Sequence, residues 1–187
     1  KGWYVPIGHV ADVQLDYDQV ISELRSILED PNLGKIAHNA NYDMTVLACH
    51  GIHVQGLIFD TMVAAALVGE KTLGLKSLAF TRLNEEMIPI NMLIGTGKSQ
   101  ITMAEVPVEK ATPYAAADAD MTWRLYSIFK KEVEKEGLSN LMTDIEIPLV
   151  PVLVRMQMHG VALDTNLLGE MSHVLARNLL HLEQNIY

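Results

Sequence analysis

Residues 35–60 read KIAHNANYDMTVLACHGIHVQGLIFD and decide the fold, because two short apolar segments flank a single helical pattern. The pattern predicts a strand over 35–38 and a helix over about 41–50, with Gly51 at the place where a left-handed residue ends a helix. A second short strand is predicted over 57–59. A strand, a helix and a strand in succession indicate an α/β layered fold.

More elements are predicted on both sides of this segment. The opening stretch 3–9 is aromatic and β-branched and predicts a strand, with Pro6 favouring an edge or a bulge. Asp60 is interpreted as a helix cap rather than a ligand. Residues 85–106 are predicted to be mostly loop. Helices are predicted over 17–29 (capped by Asp16), 61–68, 75–83 and about 112–136.

The longest predicted helix is assigned from its two ends. Thr112 followed by Pro113 is a typical helix start, since proline is favoured at the first helical position, and Gly137 is a typical stop. Apolar residues at helical spacing predict the buried face. They are Ala115, Ala119, Trp123, Tyr126 and Val133.

The composition changes after about residue 144, where a segment rich in Leu, Val and Met begins. Helices are predicted over 145–159 and from Thr165 to the end of the chain. We expect residues 1–143 to form one α/β domain and 144–187 to be the start of a larger one, because the last helix has an apolar stripe without a partner. The stripe comprises Leu168, Met171, Leu175, Leu179 and Leu182.

Composition and charge restrict the classes of protein. The 187 residues carry 14 Lys and Arg against 23 Asp and Glu, a net charge of −9. If the chain handles nucleic acid, a local patch, a metal ion or a neighbouring domain must therefore supply positive charge. The single cysteine, Cys49, excludes a disulfide framework and fits a reducing cytosol. No signal segment is present and no apolar run approaches the ~20 residues that span a bilayer, which argues against a secreted or membrane protein.

Two pairs of polar residues could carry chemistry. Asn39 and Asp43 lie four residues apart at the start of a helix that follows a strand, and Tyr114 and Asp118 lie four apart in the long helix. This spacing places each pair on one helix face, where a carboxylate can hold a metal ion and a phenol can orient an attacking water. Structural roles also explain these residues. Asn39 can be an N-cap and Asp43 a first-turn acid, while Tyr114 can be a core residue and Asp118 a solvated acid.

Several segments of the sequence resemble a known family. The segment 36–43 resembles the second motif, N-x-x-x-D after a strand, of the DEDD 3′–5′ exonucleases, and 114–120 resembles their third motif, Y-x-x-x-D. Residues 59–62 and 73–79 resemble the segment that connects these motifs. The tail over 145–164 is similar to the start of the polymerase domain in bacterial family A (polymerase-I-type) DNA polymerases.

The resemblance implies a fold and a reaction. The fold is a ribonuclease-H-like mixed sheet flanked by helices, with a helical extension at the C-terminus. The reaction is proofreading, in which two divalent cations (Mg²⁺ or Mn²⁺), held by four carboxylates, hydrolyse the terminal phosphodiester of a single-stranded DNA 3′ end. The implied partners are that DNA end and the rest of a polymerase chain, in a monomeric enzyme of the bacterial cytoplasm without membrane contact.

The resemblance also implies roles residue by residue. Asp118 is implied as a ligand of the nucleophile-side ion, Asp43 as a ligand of the second ion, and Tyr114 as the residue that orients the attacking water. Further residues implied to contact the substrate strand are Asn39 and His38 beside it and Ile90 as a wedge against its bases. Candidates for a DNA-backbone patch, each also explained as an ordinary surface charge, are Lys71, Lys76, Lys98 and Arg124.

Two departures from the family pattern limit the implied activity. The first motif, D-x-E, belongs on a strand before Trp3 and is not in this sequence, so we expect the first strand or strands to be missing. Ala117 stands where close relatives often carry Glu. With two of four carboxylates absent, we expect the chain alone to bind Mg²⁺ weakly and to hydrolyse little or no DNA.

Two alternatives to a proofreading domain stay open. A vestigial, non-catalytic exonuclease-like scaffold for the polymerase would lack the D-x-E motif, although it has little reason to keep Asp43, Tyr114 and Asp118 together. A stand-alone RNA-trimming exonuclease fits the motifs but not the tail. The presence or absence of D-x-E upstream separates the first alternative from the enzyme.

Overall fold

The computed structural model describes residues 2–10 and 13–186, mostly as helices. Two strands, β1 (Lys35–Ala37) and β2 (Leu57–Asp60), lie among them. The helices are α1 (Tyr17–Leu28), α2 (Ala40–Cys49), α3 (Thr61–Leu67), α4 (Leu75–Leu78), α5 (Asn91–Ile94), α6 (Val108–Lys135), α7 (Ser139–Leu141), α8 (Ile147–His159) and α9 (Thr165–Ile186). π-Helical turns follow α4 (Ala79–Leu83) and α7 (Met142–Glu146), and 3₁₀ turns cover Gly97–Ser99 and Met103–Glu105.

The sheet is small and parallel. β1 pairs with β2, with Ile36 opposite Phe59 and Ala37 opposite Asp60, and α2 makes the crossover that parallel neighbours require. The predicted α/β class is therefore confirmed. The mixed sheet is not: the described residues contain two parallel strands only.

The opening segment is irregular, so the strand predicted over 3–9 was wrong. Its backbone hydrogen bonds go to separate parts of the chain: Leu15 donates to the carbonyl of Pro6 (3.1 Å) and Val10 to that of Ala104 (2.9 Å). A strand needs a continuous ladder along one neighbour, and Pro6 has no N–H to contribute to it.

Helix α6 begins earlier than predicted. The N–H groups of Lys110 and Ala111 donate to the carbonyl of Pro107 (2.9 and 3.0 Å), which starts the helix at Val108. Pro113 therefore lies inside the helix rather than at its first position. An internal proline removes one helical hydrogen bond, and the packing of the rest of α6 outweighs that loss.

The main core forms where α6 packs on α3 and on the sheet. Leu125 and Phe129 are fully buried and Val133 nearly so, at four-residue spacing, against Phe59 of β2. Of the predicted buried stripe only Val133 is buried, and Trp123 is 60% exposed. The periodicity of α6 was correct but its phase was wrong, because the neighbouring elements decide which face is covered.

An arginine ties the turn that follows α4 to α6. Arg82, in the π-helical turn after α4, donates to both carboxylate oxygens of Glu132 (3.1 Å each) and pairs with Glu70. Its guanidinium also lies over the ring of Phe129, 5.6 Å from the centre. Bidentate pairs hold their partners in one geometry, so this cluster stabilises the position of α4 beside α6.

The chain divides into two compact units, one up to Arg155 and one from Met156 onward. In the first unit, Val150 and Val154 of α8 are buried with residues of α2. In the second unit no residue of α9 is buried, as expected from its unpartnered stripe. The predicted domain boundary at 143/144 stays a prediction.

Among the described residues no single helix is long and apolar enough to cross a membrane. One pair of helices, joined at a bend, reaches the required length and hydropathy only when the two helices are counted together.

Candidate active site

One open cleft, with a volume of about 790 Å³, collects polar side chains from four parts of the chain. Its walls are the end of β1, the start of α2, the start of α4 and the first half of α6. Ligand sites in α/β folds commonly lie at this carboxyl end of parallel strands. The polar residues that line the cleft are His38, Asn39, Tyr42, Asp43, Lys76, Ser77, Tyr114, Asp118 and Thr122.

A buried aspartate sets where α2 begins. Asp60 is 1% exposed and accepts hydrogen bonds from the backbone N–H groups of Asn39 (3.1 Å) and Ala40 (2.6 Å). It also accepts from Met62 (2.8 Å) and Val63 (3.3 Å) at the start of α3. The predicted cap of α3 is confirmed, and the same carboxylate holds α2 and the left-handed Asn39 (φ 66°) in place.

The two carboxylates of the cleft influence each other electrostatically. Shielding from water raises the pKa of Asp43, and the negative charges of Asp60 and Asp118 raise it further. Burial likewise raises the pKa of Asp118, although the positive charge of Lys76 opposes this. One oxygen of Asp118, Oδ1, is buried and has no hydrogen-bond partner within the described part of the chain. The cleft therefore holds negative charge that its own residues compensate only partly.

Tyr114 lies beside these carboxylates. It precedes Asp118 by four residues on α6 and both line the cleft, so the predicted shared helix face is confirmed. The ammonium of Lys76 donates to Tyr114 Oη over 3.4 Å and lies 4.9 Å from the centre of its ring. The phenol of Tyr114 is thus held by the ammonium of Lys76 from α4. From the sequence, Lys76 was predicted only as a possible contact to the DNA backbone.

His38 lies at the end of β1 and is partly buried. Its Nδ1 forms a hydrogen bond of 2.9 Å with Thr61 Oγ1. Burial lowers the pKa of the imidazole more than the nearby Asp60 raises it, so the ring is neutral at neutral pH. A neutral ring can accept or donate a hydrogen bond in the cleft without adding positive charge.

The cleft brings together most of the residues singled out from the sequence. His38, Asn39, Asp43, Tyr114 and Asp118 all line it, and Ile90 and Lys98 do not. Ile90 is 45% exposed just before α5, and Lys98 is exposed in a 3₁₀ turn. The functional roles of all these residues stay predictions.

Sequence reasoning missed three contributors to the site. Asp60 was foreseen as a cap but not as an organiser of α2, and Tyr42 and Trp123 line the cleft as exposed aromatic rings. Arg124, a candidate for contact with the DNA backbone, is paired with Glu85 (3.0 Å) in this structure. The only sequence signal for Tyr42 was its position next to Asp43.

The cleft residues suit a divalent cation. The described residues contain no cluster of three or more His, Cys, Asp or Glu side chains that could hold a metal ion. Mg²⁺, however, keeps several waters and is commonly bound by one or two carboxylates together with substrate phosphates. Two carboxylates of raised pKa on one cleft, one with an unpartnered buried oxygen, fit that mode.

The fold and the cleft are those of an α/β domain with a polar cleft at the carboxyl end of a strand. Comparison with known proteins identifies the family. Residues 4–134 match the family described as 3′–5′ exonuclease. Because this match covers more than half of the chain, the chain belongs to the 3′–5′ exonuclease family, a family of enzymes.

Relatives of known sequence include bacterial DNA polymerases. The chain is 44% identical over 187 residues to DNA polymerase I of Chloroflexus aurantiacus, covering 98% of this chain and 20% of that protein. It is 37% identical to DNA polymerase I of Pseudomonas aeruginosa, covering 98% and 21%. The chain therefore spans about a fifth of the length of these relatives and is homologous to their 3′–5′ exonuclease region.

Solved structures support the fold. The POL domain of Pol1 from M. smegmatis, in complex with DNA primer–template and dNTP, superposes with a TM-score of 0.67 at 24% identity, over 89% of this chain and 26% of that one. Brucella melitensis NrnC with bound Mg²⁺ superposes with a TM-score of 0.59 at 22% identity, over 73% and 64%. At these identities the likeness concerns the fold alone.

Proposed function

We propose that this chain is the proofreading 3′–5′ exonuclease domain of a bacterial DNA polymerase of family A, joined to the first helices of the polymerase domain at about residue 144. Its substrate is the 3′ end of single-stranded DNA, and it works as part of a monomeric, cytoplasmic polymerase. The observation that carries the proposal is the convergence of Asp43, Tyr114 and Asp118, from two different helices, on one cleft in a member of this family.

The chemistry follows from the residues that line the cleft. Asp43 and Asp118 would hold divalent cations, and such ions, when bound, would polarise the scissile phosphate and favour deprotonation of a water near neutral pH. Tyr114 orients the attacking water through its hydroxyl, and the neutral His38 and Asn39 position the DNA strand beside the carboxylates. Because bases are recognised mainly by stacking at such sites, no sequence preference is expected.

Charge balance explains why metal ions are required. The chain carries a net charge of −9, and two of its carboxylates, Asp43 and Asp118, line the cleft, where burial raises the pKa of both. A DNA phosphate approaching these carboxylates is repelled unless a cation lies between them. With only two acids in the described cleft, we expect the chain by itself to bind Mg²⁺ weakly and to hydrolyse little or no DNA.

A second candidate function is a non-catalytic scaffold for the polymerase. It is favoured by the lack, among the described residues, of any cluster of three potential metal ligands. It is opposed by the joint placement of Asp43, Tyr114 and Asp118 on one cleft, since a scaffold gains no stability from two carboxylates with raised pKa.

The experiment measures shortening of a 5′-labelled single-stranded DNA with Mg²⁺, using the polypeptide as its gene encodes it. We expect stepwise release of nucleoside monophosphates from the 3′ end, reduced at least about 100-fold by Asp118→Asn or Asp43→Asn. Glu109→Gln is the matched control, because Glu109 is an exposed acid in the first turn of the same helix as Asp118. It should retain full activity.

Each other outcome selects an alternative. Absence of DNA hydrolysis by a folded polypeptide at any Mg²⁺ or Mn²⁺ concentration supports the scaffold. Faster shortening of an RNA of the same sequence supports an RNA-trimming enzyme. The 187-residue chain is tested separately; if it releases mononucleotides, and Asp118→Ala abolishes that release, the expectation of an inactive chain is wrong.

A further inference from the structure

Lys76 occupies a specific place in the cleft rather than a general surface position. It lies in the four-residue helix α4 and is partly buried, while the tyrosine it contacts is 38 positions further along the chain in α6. Its ammonium is 3.4 Å from Tyr114 Oη and 4.9 Å from the centre of the ring. The ammonium is therefore nearer to the hydroxyl than to the middle of the ring.

The direction of this hydrogen bond decides what the phenol can do. An ammonium group has three donors and no acceptor, so Tyr114 Oη must accept from Lys76. The hydroxyl hydrogen of Tyr114 is then left for another acceptor. The position of the ammonium over the ring adds a cation–π attraction that holds the ring in place.

We propose that Lys76 is a positioning residue for Tyr114: it holds the ring and occupies the acceptor side of the hydroxyl, so that the hydroxyl donates its own hydrogen to the attacking water. The expected effect on activity rests on the proposed function, whereas the contact between Lys76 and Tyr114 does not depend on that function. Water is a better-oriented nucleophile when a fixed donor binds one of its lone pairs and leaves another free to attack.

The chain offers a matched control for this contact. Lys130 also lies over a tyrosine, with its ammonium 5.7 Å from the ring centre of Tyr126, on α6 and outside the lining of the cleft. Replacing either lysine by Met removes one positive charge and one cation–π contact. Only Lys76→Met removes a donor to the tyrosine of the cleft.

The first experiment observes the tyrosine directly in the 187-residue chain. Tyrosines are labelled with ¹³C at Cζ, and the resonance of Tyr114 among the six is assigned by its loss in Tyr114→Phe. Lys76→Met is expected to shift this resonance, Lys76→Arg to leave it close to its original position, and Lys130→Met to leave it unchanged. An unchanged Tyr114 resonance in a folded Lys76→Met variant overturns the proposal, whether or not the protein is a nuclease.

The second experiment measures kcat and KM for single-stranded DNA in the polypeptide as encoded. Lys76→Met is expected to lower kcat about tenfold or more with KM changed less than about twofold, because orientation rather than binding is lost. In a Tyr114→Phe background the same substitution should lower kcat less than about twofold. Equal losses in both backgrounds, or a loss confined to KM, show that Lys76 acts on the DNA instead and overturn the proposal. If the unmutated enzyme is inactive, the proposed function fails and the labelled-tyrosine result still decides the contact.

Discussion

Replacement of Asp60 tests whether one carboxylate organises both the fold and the cleft. Its two oxygens accept four backbone N–H groups: Oδ1 from Asn39, Met62 and Val63, and Oδ2 from Ala40. Asp60→Ala leaves all four donors without their acceptor at a position that is 1% exposed. A buried donor left without an acceptor costs about 1–3 kcal/mol. With four such donors we expect a loss of at least about 3 kcal/mol of unfolding free energy, a large part of the roughly 5–15 kcal/mol that a domain has.

The Asn variant separates the hydrogen bonds from the size of the side chain. Asp60→Asn keeps an acceptor at Oδ1 for three N–H groups but places an NH₂ group against the N–H of Ala40, at 2.6 Å in the native chain. We expect a loss of about 1.5–3 kcal/mol, the value of one hydrogen bond to a charged acceptor. Asp16→Ala is the control, because Asp16 caps α1 through one bond, to Gln19 (2.8 Å), at an exposed site. It should lose only about 1 kcal/mol.

The assay is urea unfolding followed by circular dichroism at pH 7 for the three variants and the native chain. The expected order of stability is native, Asp16→Ala, Asp60→Asn, Asp60→Ala. A result in which Asp60→Ala loses no more than Asp16→Ala refutes the reasoning, since it would mean that the four contacts contribute no more than one exposed cap.

Two further predictions concern the cleft carboxylates and a tight turn. Asp118→Asn and Asp43→Asn should each stabilise the folded chain at pH 7, by less than about 1 kcal/mol after solvent screening. The reason is that each folded-state pKa is raised above the ordinary aspartate value of 3.8. The native chain therefore loses stability as the pH rises above that value, and the gain from either Asn variant disappears near pH 3. Equal gains in urea unfolding at pH 7 and pH 3 contradict this. Gly56→Ala should destabilise the chain by at least about 2 kcal/mol more than Gly51→Ala. Both glycines have positive φ (69° and 74°), so the backbone conformation is strained for alanine in either variant. A Cβ at Gly56 would meet a backbone carbonyl oxygen at 2.6 Å, whereas at Gly51 the nearest atom is 3.8 Å away. Similar melting temperatures for the two variants refute the steric argument.

Local signals in the sequence predicted individual elements well. The cap at Asp16, the cap at Asp60 and the left-handed glycines at 51 and 137 are all present in the structure. These features depend on contacts within a few residues, and such contacts form in the same way wherever the segment lies in a fold. The helix periodicity of α6 was recognised for the same reason.

Predictions that depended on distant neighbours were less successful. The buried face of α6 was assigned one position out of phase, so Trp123 was expected in the core and lies on the cleft. The opening strand was wrong because its aromatic and β-branched residues find no continuous partner among the described residues. Propensity describes what a segment can form, and packing decides which option is used.

The sequence by itself determined the family motifs and the four-residue spacing that puts Tyr114 and Asp118 on one helix face. Only the tertiary structure brought Asp43 from α2 and Lys76 from α4 to that face, and only there does burial raise the pKa of both acids. The physical reason is range: spacing along a helix is set by backbone geometry, whereas a shared cleft, its electrostatics and the cation over Tyr114 depend on how separate elements pack.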